Sequence, residues 1–202
     1  MAPEDRISNG KTAELGQFPY HAKLDLQDSN GKFFRCGGSL IASEWIVTAG
    51  HCIKGLSTPV HMNENVATID LPADDGDDYV GDVFTVSGFG RLGRNKPLSN
   101  TLQYTELKIR PNSICQRLYN HEDFNDTKLC CKGRDGESTC SGDSGGPLAD
   151  LGYSGNRNRL IGLVSVGKGS CEGKNPSGFT KVAPYVDWIN EQMGMQTYGQ
   201  VN

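Results

Sequence analysis

One serine in this sequence has the surroundings of a catalytic nucleophile. Ser144 lies in the segment Ser138–Leu148, which has the sequence STCSGDSGGPL and places Gly142 and Gly145 close to the serine. Glycine adopts backbone angles that other residues avoid, so this stretch suits a tight turn whose N–H groups point in one direction. Two such N–H groups aimed at one point could hold the oxyanion of a tetrahedral intermediate. The residue types therefore predict acyl-transfer chemistry at Ser144.

A serine hydroxyl alone is a weak nucleophile and needs an adjacent base. The candidate base is His51, in the segment Thr48–Cys52 with the sequence TAGHC. This histidine follows an apolar, β-rich run, Trp45–Val47, and the neighbouring Cys52 could fix its loop. We therefore expect His51 to exchange a proton with Ser144.

Three motifs together carry a resemblance to a known family. They are CGGSL at Cys36–Leu40, TAGHC at Thr48–Cys52 and GDSGGP at Gly142–Pro147. In this order they resemble the trypsin/chymotrypsin family of serine endopeptidases, from Ile7 to about Met193. The competing interpretation of the third motif is a Gly- and Ser-rich turn without chemistry.

The resemblance implies a fold and a set of catalytic groups. The fold is all-β, with two six-stranded antiparallel β-barrels of the trypsin-like type, the first of them incomplete, and a C-terminal helix. His51 and Ser144 are the implied catalytic residues, and the backbone N–H groups of Gly142 and Ser144 form the implied oxyanion hole. The expected domains are residues 1–6 as an activation-peptide remnant, 7–72 as the incomplete N-terminal barrel and 73–202 as the C-terminal barrel, with one peptidase domain over 7–193.

The start of the chain resembles the activation site of the same family. Arg6 is followed by Ile7 and Gly10 in the sequence RISNG. In the family, cleavage after the arginine frees an ammonium group that pairs with the aspartate before the nucleophile, here Asp143. The chain with residues 1–6 attached is therefore expected to be a zymogen. The alternative is that Arg6 is only a charged residue of the tail.

The distance between the base and the nucleophile departs from the family. His51 and Ser144 are 93 positions apart, whereas the template has roughly 138 positions between them and its aspartate roughly 45 after the histidine. We infer that a segment is missing near Lys54–Leu56 and that it held the triad aspartate. Asp70 has apolar neighbours, but its Leu71–Pro72 context matches a later strand, so no residue matches the missing acid.

Short apolar runs separated by turn residues predict strands throughout the chain. The expected strands are Tyr20–Leu26, Phe33–Ile41, Glu44–Thr48, Leu102–Ile109 and Leu160–Val166. Phe84–Gly90 resembles the first strand of the family's second barrel. A short helix is expected over Asn112–Tyr119, and apolar residues at helical spacing after Pro184 predict the C-terminal helix.

Seven cysteines in a chain of this size favour an oxidising compartment and a secreted protein, although Met1–Arg6 lacks the apolar core of a signal peptide. The resemblance implies the disulfides Cys36–Cys52, Cys115–Cys131 and Cys140–Cys171. Cys130 is then left over, either as a free thiol or in a bridge between chains. Asn125–Thr127 is a glycosylation sequon, which has meaning only if the chain is exported.

Four further positions resemble the substrate-binding residues of the family. Ser138, six positions before the nucleophile, corresponds to the floor of the S1 pocket, where an aspartate would select Arg or Lys. Ser165 and Gly167 correspond to a pocket wall, and Ser177 stands where glycine is usual and should narrow the pocket. The combination is nearest to invertebrate digestive and collagenolytic chymotrypsin-like enzymes and predicts apolar or aromatic P1 residues. Ser138 and Ser177 could instead be small fillers.

Composition argues against several other functions. A net charge of −4 and a pI of about 5.6 do not suit a nucleic-acid partner, and no apolar run approaches the roughly 18 residues of a membrane span. The Cys and His spacing matches no zinc pattern, and acidic residues around Gly76 fit a solvated loop better than a calcium loop. We expect no metal and no cofactor, and protein or peptide substrates, an activating protease and protein inhibitors as the partners of a monomer.

Two functions follow from these observations. The first is a serine endopeptidase that is severely impaired because the triad aspartate is missing. The second is a non-catalytic relative that acts as a binding or decoy protein, or a truncated isoform or gene model. The presence of His51 and Ser144 favours the first, and the missing segment favours the second.

Overall fold

The computed structural model describes residues 7–28, 30–52, 60–73, 76–119, 124–152, 158–167, 171 and 175–194. The junction inferred near Lys54–Leu56 and the scissile residue Arg6 lie outside these ranges. The strands in chain order are β1 (Lys11–Thr12), β2 (His21–Gln27), β3 (Phe33–Ala42), β4 (Trp45–Val47), β5 (Val83–Gly88), β6 (Gln103–Arg110), β7 (Lys128–Lys132), β8 (Pro147–Asp150), β9 (Arg159–Val166) and β10 (Ser177–Lys181). The helices are α1 (Asn112–Tyr119) and α2 (Val186–Gln192), with 3₁₀ turns at Gly50–Cys52 and Ala183–Tyr185.

The second half of the chain forms a closed antiparallel barrel. Its strands follow the order β6-β5-β8-β9-β10-β7, a further β6–β7 pairing closes the ring, and β1 adds to β6. Strand β6 has one buried face. Its alternate residues Gln103, Thr105, Leu107 and Ile109 are buried, while the residues between them are more exposed. This alternation is the period-2 pattern of a strand with one face on a core. The closed barrel and the C-terminal helix agree with the expected fold class.

The first half forms a smaller sheet of three strands in the order β2-β3-β4. The β2–β3 pairing runs from His21 opposite Ser39 to Gln27 opposite Phe33. Among the described residues this sheet does not close into a ring, so β2 and β4 are its edges. The following segment links the two sheets, since Ile69 donates its N–H to the carbonyl of Leu40 in β3 and Asp70 pairs with Arg159 of β9 in the barrel.

One predicted disulfide is wrong. The structure joins Cys115 to Cys130, with their Cα atoms 5.8 Å apart, and leaves Cys131 as a buried free thiol. Consecutive residues of a strand face opposite sides. Cys130 therefore faces α1 and packs with Cys115 and Phe124, while Cys131 faces the barrel core beside Leu129.

The other two expected bridges, Cys36–Cys52 and Cys140–Cys171, are present. The first ties β3 to the 3₁₀ turn that carries His51, and the second ties the segment before Ser144 to the segment before β10. Neither α1 nor α2 has the length and apolar character that a membrane-crossing helix requires.

Candidate active site

The segment around Ser144 lies between the two sheets and is hydrogen-bonded to both. The N–H of Gly37, in β3, donates to the carbonyl oxygen of Ser144 at 2.8 Å. The N–H of Gly145 donates to the carbonyl oxygen of Val164, in β9 of the barrel, at 2.7 Å. The backbone around Ser144 is therefore fixed by residues from both halves of the chain. One of these residues, Gly37, is more than a hundred positions away from Ser144 in the sequence.

Glycine is required at this contact for steric reasons. A Cβ atom on Gly37 would lie 2.7 Å from the Cα atom of Gly146, closer than real Cβ atoms approach. Gly145 has a φ of +79°, and a Cβ atom there would lie 2.2 Å from the Oγ1 atom of Thr48. The glycines of the first and third motifs thus allow the two segments to touch through their backbones.

His51 lies beside the same contact, held by its neighbouring disulfide. A ring nitrogen of its exposed imidazole and the two sulfur atoms of Cys36 and Cys52 all lie within 4.8 Å of one another. The Sγ atom of Cys52 is also 3.7 Å from the carbonyl oxygen of Ser144. The bridge therefore lies against both His51 and Ser144. Because both sulfurs are used in the disulfide, this cluster is not a metal site.

In the part of the chain that the structure describes, no hydrogen bond joins the His51 imidazole to the Ser144 hydroxyl. Both residues lie against the Cys36–Cys52 disulfide, but the hydrogen bond that proton transfer needs is not formed between them. Such contacts are often long in a protein without substrate and tighten when substrate binds.

Two backbone donors near Ser144 are available for a ligand. Within the described ranges, the N–H groups of Gly142 and Ser144 donate to no protein acceptor, whereas those of Asp143, Gly145 and Gly146 all do. Gly142 has a φ of +98°, which favours glycine. A pair of unpartnered N–H groups beside a hydroxyl is the arrangement that can stabilise a developing oxyanion.

Asp143 is completely buried beneath this turn. Its carboxylate accepts hydrogen bonds from the N–H of Gly90 at 2.7 Å and from the N–H of Cys140 at 2.9 Å. A Cβ atom on Gly88 or Gly90 would lie within 2.4 Å of an atom of this carboxyl group, so the end of β5 needs glycine to make room for it. Burial raises the pKa of Asp143 to about 7, against the effect of its two hydrogen bonds.

The segment that follows Arg6 is docked on the barrel. The side chain of Ile7 is 1% exposed and belongs to the barrel core. Ser8 pairs with Ser138, whose N–H donates to the carbonyl oxygen of Ser8 at 3.3 Å. Ile7 thus lies in the barrel to which Asp143 belongs.

The expected pocket residues take different positions. Ser138 and Ser177 are buried, Ser165 is half-buried, and Gly167 is exposed with open space around it. The hydroxyl of Ser177 shares a buried hydrogen bond of 3.0 Å with the hydroxyl of Thr139. Thr139 was missed in the sequence, where only its position next to Ser138 could have drawn attention to it. This hydrogen bond joins the segment before Ser144 to the start of β10 through two uncharged side chains.

Sequence reasoning also missed His21, at the start of β2. Its Nδ1 atom lies 2.9 Å from the hydroxyl of Ser87, in β5, and its ring lies 5.5 Å from that of Phe89. Its Nε2 atom is shielded from solvent and has no partner among the described residues. Burial lowers the pKa of His21 to about 3, so the imidazole is neutral at ordinary pH. His21 therefore connects the small sheet to the barrel by a neutral hydrogen bond.

Asp143 and His21 give the uncleaved chain pH dependences of opposite sign. The pKa of Asp143 is raised from 3.8 to about 7, so between these values the folded chain holds an extra proton and stability falls as pH rises. The pKa of His21 is lowered from 6.5 to about 3, so between these values the unfolded chain holds the extra proton and stability rises with pH. From pH 4 to 6 the two effects nearly cancel.

A variant that removes one of the two groups should expose the other. We expect His21→Gln to lose stability as pH rises from 4 to 6, by about 1.4 kcal/mol per pH unit, relative to the parent chain. Urea unfolding at pH 4, 5 and 6 measures this slope. His61→Gln, which changes an exposed histidine, should keep the parent's slope. If the dependence of the unfolding free energy on pH were the same in His21→Gln as in the parent, the pKa of His21 could not be lowered in the folded chain.

Asp70, the acidic residue with apolar neighbours, lies beside the first residues of β9. Its backbone pairs with the start of β9, since its N–H donates to Asn158 at 3.1 Å and its carbonyl accepts from Leu160 at 2.8 Å. Strand β9 contacts the Ser144 turn at Val164. Val164 lies about 13 Å along the strand from Leu160, at roughly 3.3 Å per residue. The backbone of Asp70 is therefore fixed at the start of β9 and not at the Ser144 turn.

Comparison with known proteins gives a consistent result. The family model described as Trypsin matches residues 7–57 and 55–189. A protein named collagenase from Hypoderma lineatum is 31% identical, with 95% of this chain and 89% of the relative covered. Serine protease 1 of Drosophila melanogaster is 30% identical over 95% of this chain and 87% of the relative. Brachyurin of Leptuca pugilator is 29% identical over 94% of this chain and 99% of the relative.

A solved structure titled HL collagenase has a TM-score of 0.80 and 30% sequence identity, and the match covers 93% of this chain and 99% of that chain. The alignment with the Hypoderma protein spans 240 positions, 38 more than the 202 residues of this chain. Some positions of the relative therefore have no counterpart here. The family model itself matches in two pieces that meet at residues 55–57.

Proposed function

Because this chain belongs to the trypsin family of serine endopeptidases, we propose that it is built to hydrolyse peptide bonds, with Ser144 as nucleophile and His51 as base. The observation that supports the proposal most strongly is the backbone contact between β3 and the Ser144 turn, together with the Cys36–Cys52 bridge that lies against both His51 and Ser144. The family acts on protein substrates.

The proposed reaction follows the two steps of acyl transfer. The Oγ atom of Ser144 attacks the scissile carbonyl carbon while His51 takes the hydroxyl proton, and the N–H groups of Gly142 and Ser144 bind the resulting oxyanion. His51 then gives the proton to the leaving amine, which leaves an acyl-enzyme. Water, deprotonated by His51, attacks the ester and restores the Ser144 hydroxyl.

We propose further that the activity is severely impaired because no aspartate orients His51. Three observations support this. The family model matches in two pieces that meet just after His51, the aligned relative is longer than the chain, and Asp70 is bound to the start of β9. Without the aspartate the imidazole lacks the group that fixes its tautomer and stabilises its charged form, a loss of about 10⁴-fold in kcat or roughly 5.4 kcal/mol of barrier.

Activation is proposed to follow cleavage after Arg6. The freed ammonium group of Ile7 would lie in the barrel that holds Asp143 and would neutralise its buried carboxylate. An ammonium partner would lower the pKa of Asp143 from its raised value. Among the described residues that carboxylate accepts hydrogen bonds from the N–H groups of Gly90 and Cys140 and forms no ion pair, and a buried charge without a counter-charge is costly.

The proposed substrate preference is for apolar or aromatic P1 residues. Ser138 and Ser177 carry no charge, and the Thr139–Ser177 hydrogen bond satisfies two of the hydroxyls that could otherwise bind a polar P1 side chain. The three disulfides support a secreted protein that acts outside the cell. An activating protease and protein inhibitors are the proposed partners of a monomeric enzyme.

The chain, cleaved after Arg6, should hydrolyse peptide substrates with Phe or Leu at P1 at least ten times faster than matched substrates with Lys or Arg. The reason is that burying a Lys or Arg head group next to Ser138 without a carboxylate is unfavourable. A set of peptides that differ only at P1 measures the ratio of kcat/KM values. The variant Ser144→Ala should remove the turnover of all of them. Equal rates for Phe and Arg would contradict the proposed pocket.

The second candidate is a non-catalytic relative that binds proteins without cleaving them. The absence of a His51–Ser144 hydrogen bond among the described residues favours it, and so does the missing acid. The two candidates differ in one property, because only the first requires Ser144 to be reactive. A protein that binds peptides but whose Ser144 resists acylating reagents would support the second.

A further inference from the structure

A polar turn at the far end of the barrel has no role in the proposed catalysis. It carries Asn125, Asp126 and Thr127, the residues just before β7. Asn175 is also followed two positions later by a serine, Ser177, but the proline between them excludes that site. We propose that Asn125 is an N-glycosylation site, with the glycan attached to its Nδ2 atom.

The side chain of Asn125 is exposed and oriented by Thr127. Its Oδ1 atom accepts hydrogen bonds from the N–H of Thr127 at 3.0 Å and from the hydroxyl of Thr127 at 2.7 Å. Both bonds use the oxygen of the amide. The Nδ2 atom donates to no acceptor within the described ranges, so a substituent on it breaks no hydrogen bond of the fold.

The backbone of the turn is fixed by side chains from α1. The Nδ2 atom of Asn112 donates to the carbonyl oxygens of Asn125 at 2.9 Å and Lys128 at 2.8 Å. The Nε2 atom of Gln116 donates to the carbonyl oxygen of Phe124 at 2.8 Å, and the Phe124 side chain is buried against the Cys115–Cys130 bridge. Asn125 is therefore an exposed side chain on a rigid support, and a glycan there needs no rearrangement.

The position also keeps a glycan away from the substrate pocket. Strand β10 has Ser177, a pocket residue, at its start, and at its end the N–H of Lys181 donates to the carbonyl oxygen of Thr127. The four residue steps of this strand separate the two ends by about 13 Å. A large, hydrated group on Asn125 should thus leave access to Ser144 open.

The modification is a group transfer from a polyprenyl-diphosphate-linked oligosaccharide. A bond forms between Nδ2 of Asn125 and the anomeric carbon of the first sugar, while the bond from that carbon to the diphosphate oxygen breaks. The amide nitrogen loses one proton, and the polyprenyl diphosphate leaves with the bonding electrons. The reaction requires entry into the secretory pathway, which the three disulfides favour.

Expression in eukaryotic cells behind a heterologous signal peptide tests the site. The full chain carrying Ser144→Ala is used, so that the result does not depend on catalysis. We expect one discrete upward shift in electrophoretic mobility that peptide-N-glycosidase removes, with conversion of Asn125 to aspartate read by mass spectrometry. Thr127→Ala and Asn125→Gln should lose the shift, and Thr127→Ser, which keeps the hydroxyl and the sequon, should retain it.

Total cell extract and medium are both analysed, because the transfer occurs on the translocated chain and remains detectable in a variant that fails to fold. An unmodified Asn125 in the secreted parent chain would overturn the proposal. So would a shift that persists in both Thr127→Ala and Asn125→Gln.

Discussion

Inserting the segment that we propose is missing should raise kcat by about 10⁴-fold, the factor associated with the triad aspartate. The chimera receives an insertion after Cys52. The inserted stretch comes from the Hypoderma lineatum relative and has no counterpart in this chain, and its end is joined to the segment that leads to Val66. The inserted aspartate would accept a hydrogen bond from His51 and stabilise the imidazolium that forms during catalysis. Steady-state hydrolysis of a peptide with Phe at P1, after cleavage at Arg6, measures the gain.

The matched control is the same chimera with the inserted aspartate replaced by asparagine. It has the same added strands and the same chain length, so any gain from stability or from a completed first sheet appears in both proteins. The aspartate chimera should exceed the asparagine chimera in kcat by several thousand-fold. Equal rates for the two chimeras would show that the absent acid is not what limits this chain.

Gly145→Ala should destabilise the protein by about 2–5 kcal/mol. The backbone of Gly145 has a φ of +79°, and a new Cβ atom would lie 2.6 Å from the carbonyl oxygen of Gly37 and 2.7 Å from the amide nitrogen of Ala49. A left-handed conformation costs a non-glycine residue about 1–2 kcal/mol, and overpacking adds about 1–3 kcal/mol. Since the two overlapping atoms belong to the small sheet and the turn that follows it, the expected result is partial separation of the sheets.

Urea unfolding compares Gly145→Ala with Gly50→Ala. Gly50 lies in the 3₁₀ turn next to His51 and has no positive φ, and a Cβ atom added to it would have no neighbour within 4 Å. Its substitution should therefore change stability by less than about 0.5 kcal/mol. If Gly145→Ala were as stable as Gly50→Ala, the backbone contact between the sheets could not be as close as described.

The sequence was sufficient for features that depend on local pattern. The helix α1 coincides with the expected Asn112–Tyr119, and the strand expected over Leu102–Ile109 corresponds to β6, whose alternating residues face the core. The Cys115 pairing was predicted wrongly by family resemblance, although strand alternation contained the answer. Leu129 and Cys131 share the face of β7 that packs into the barrel core. Of the two cysteines, only Cys130 is therefore on the face that contacts α1.

Other features depend on residues far apart in the chain and could not be read from local pattern. The ring of His21 is held by a hydrogen bond with the hydroxyl of Ser87, which is 66 positions away in the sequence. A buried hydrogen bond also joins the hydroxyls of Thr139 and Ser177, 38 positions apart. In both cases the residue types are ordinary, and only the fold brings the two side chains together.

The rate at which Ser144 reacts with a fluorophosphonate after cleavage at Arg6 tests the central claim most directly. This reagent needs the nucleophile, the base and the oxyanion donors but no particular peptide. The account predicts labelling at Ser144 that is absent in Ser144→Ala and slower by roughly 10³–10⁴-fold than in an ordinary chymotrypsin. Labelling at the rate of an ordinary chymotrypsin would contradict the impairment, and no labelling of the folded, cleaved chain would contradict the assignment of Ser144 as a working nucleophile.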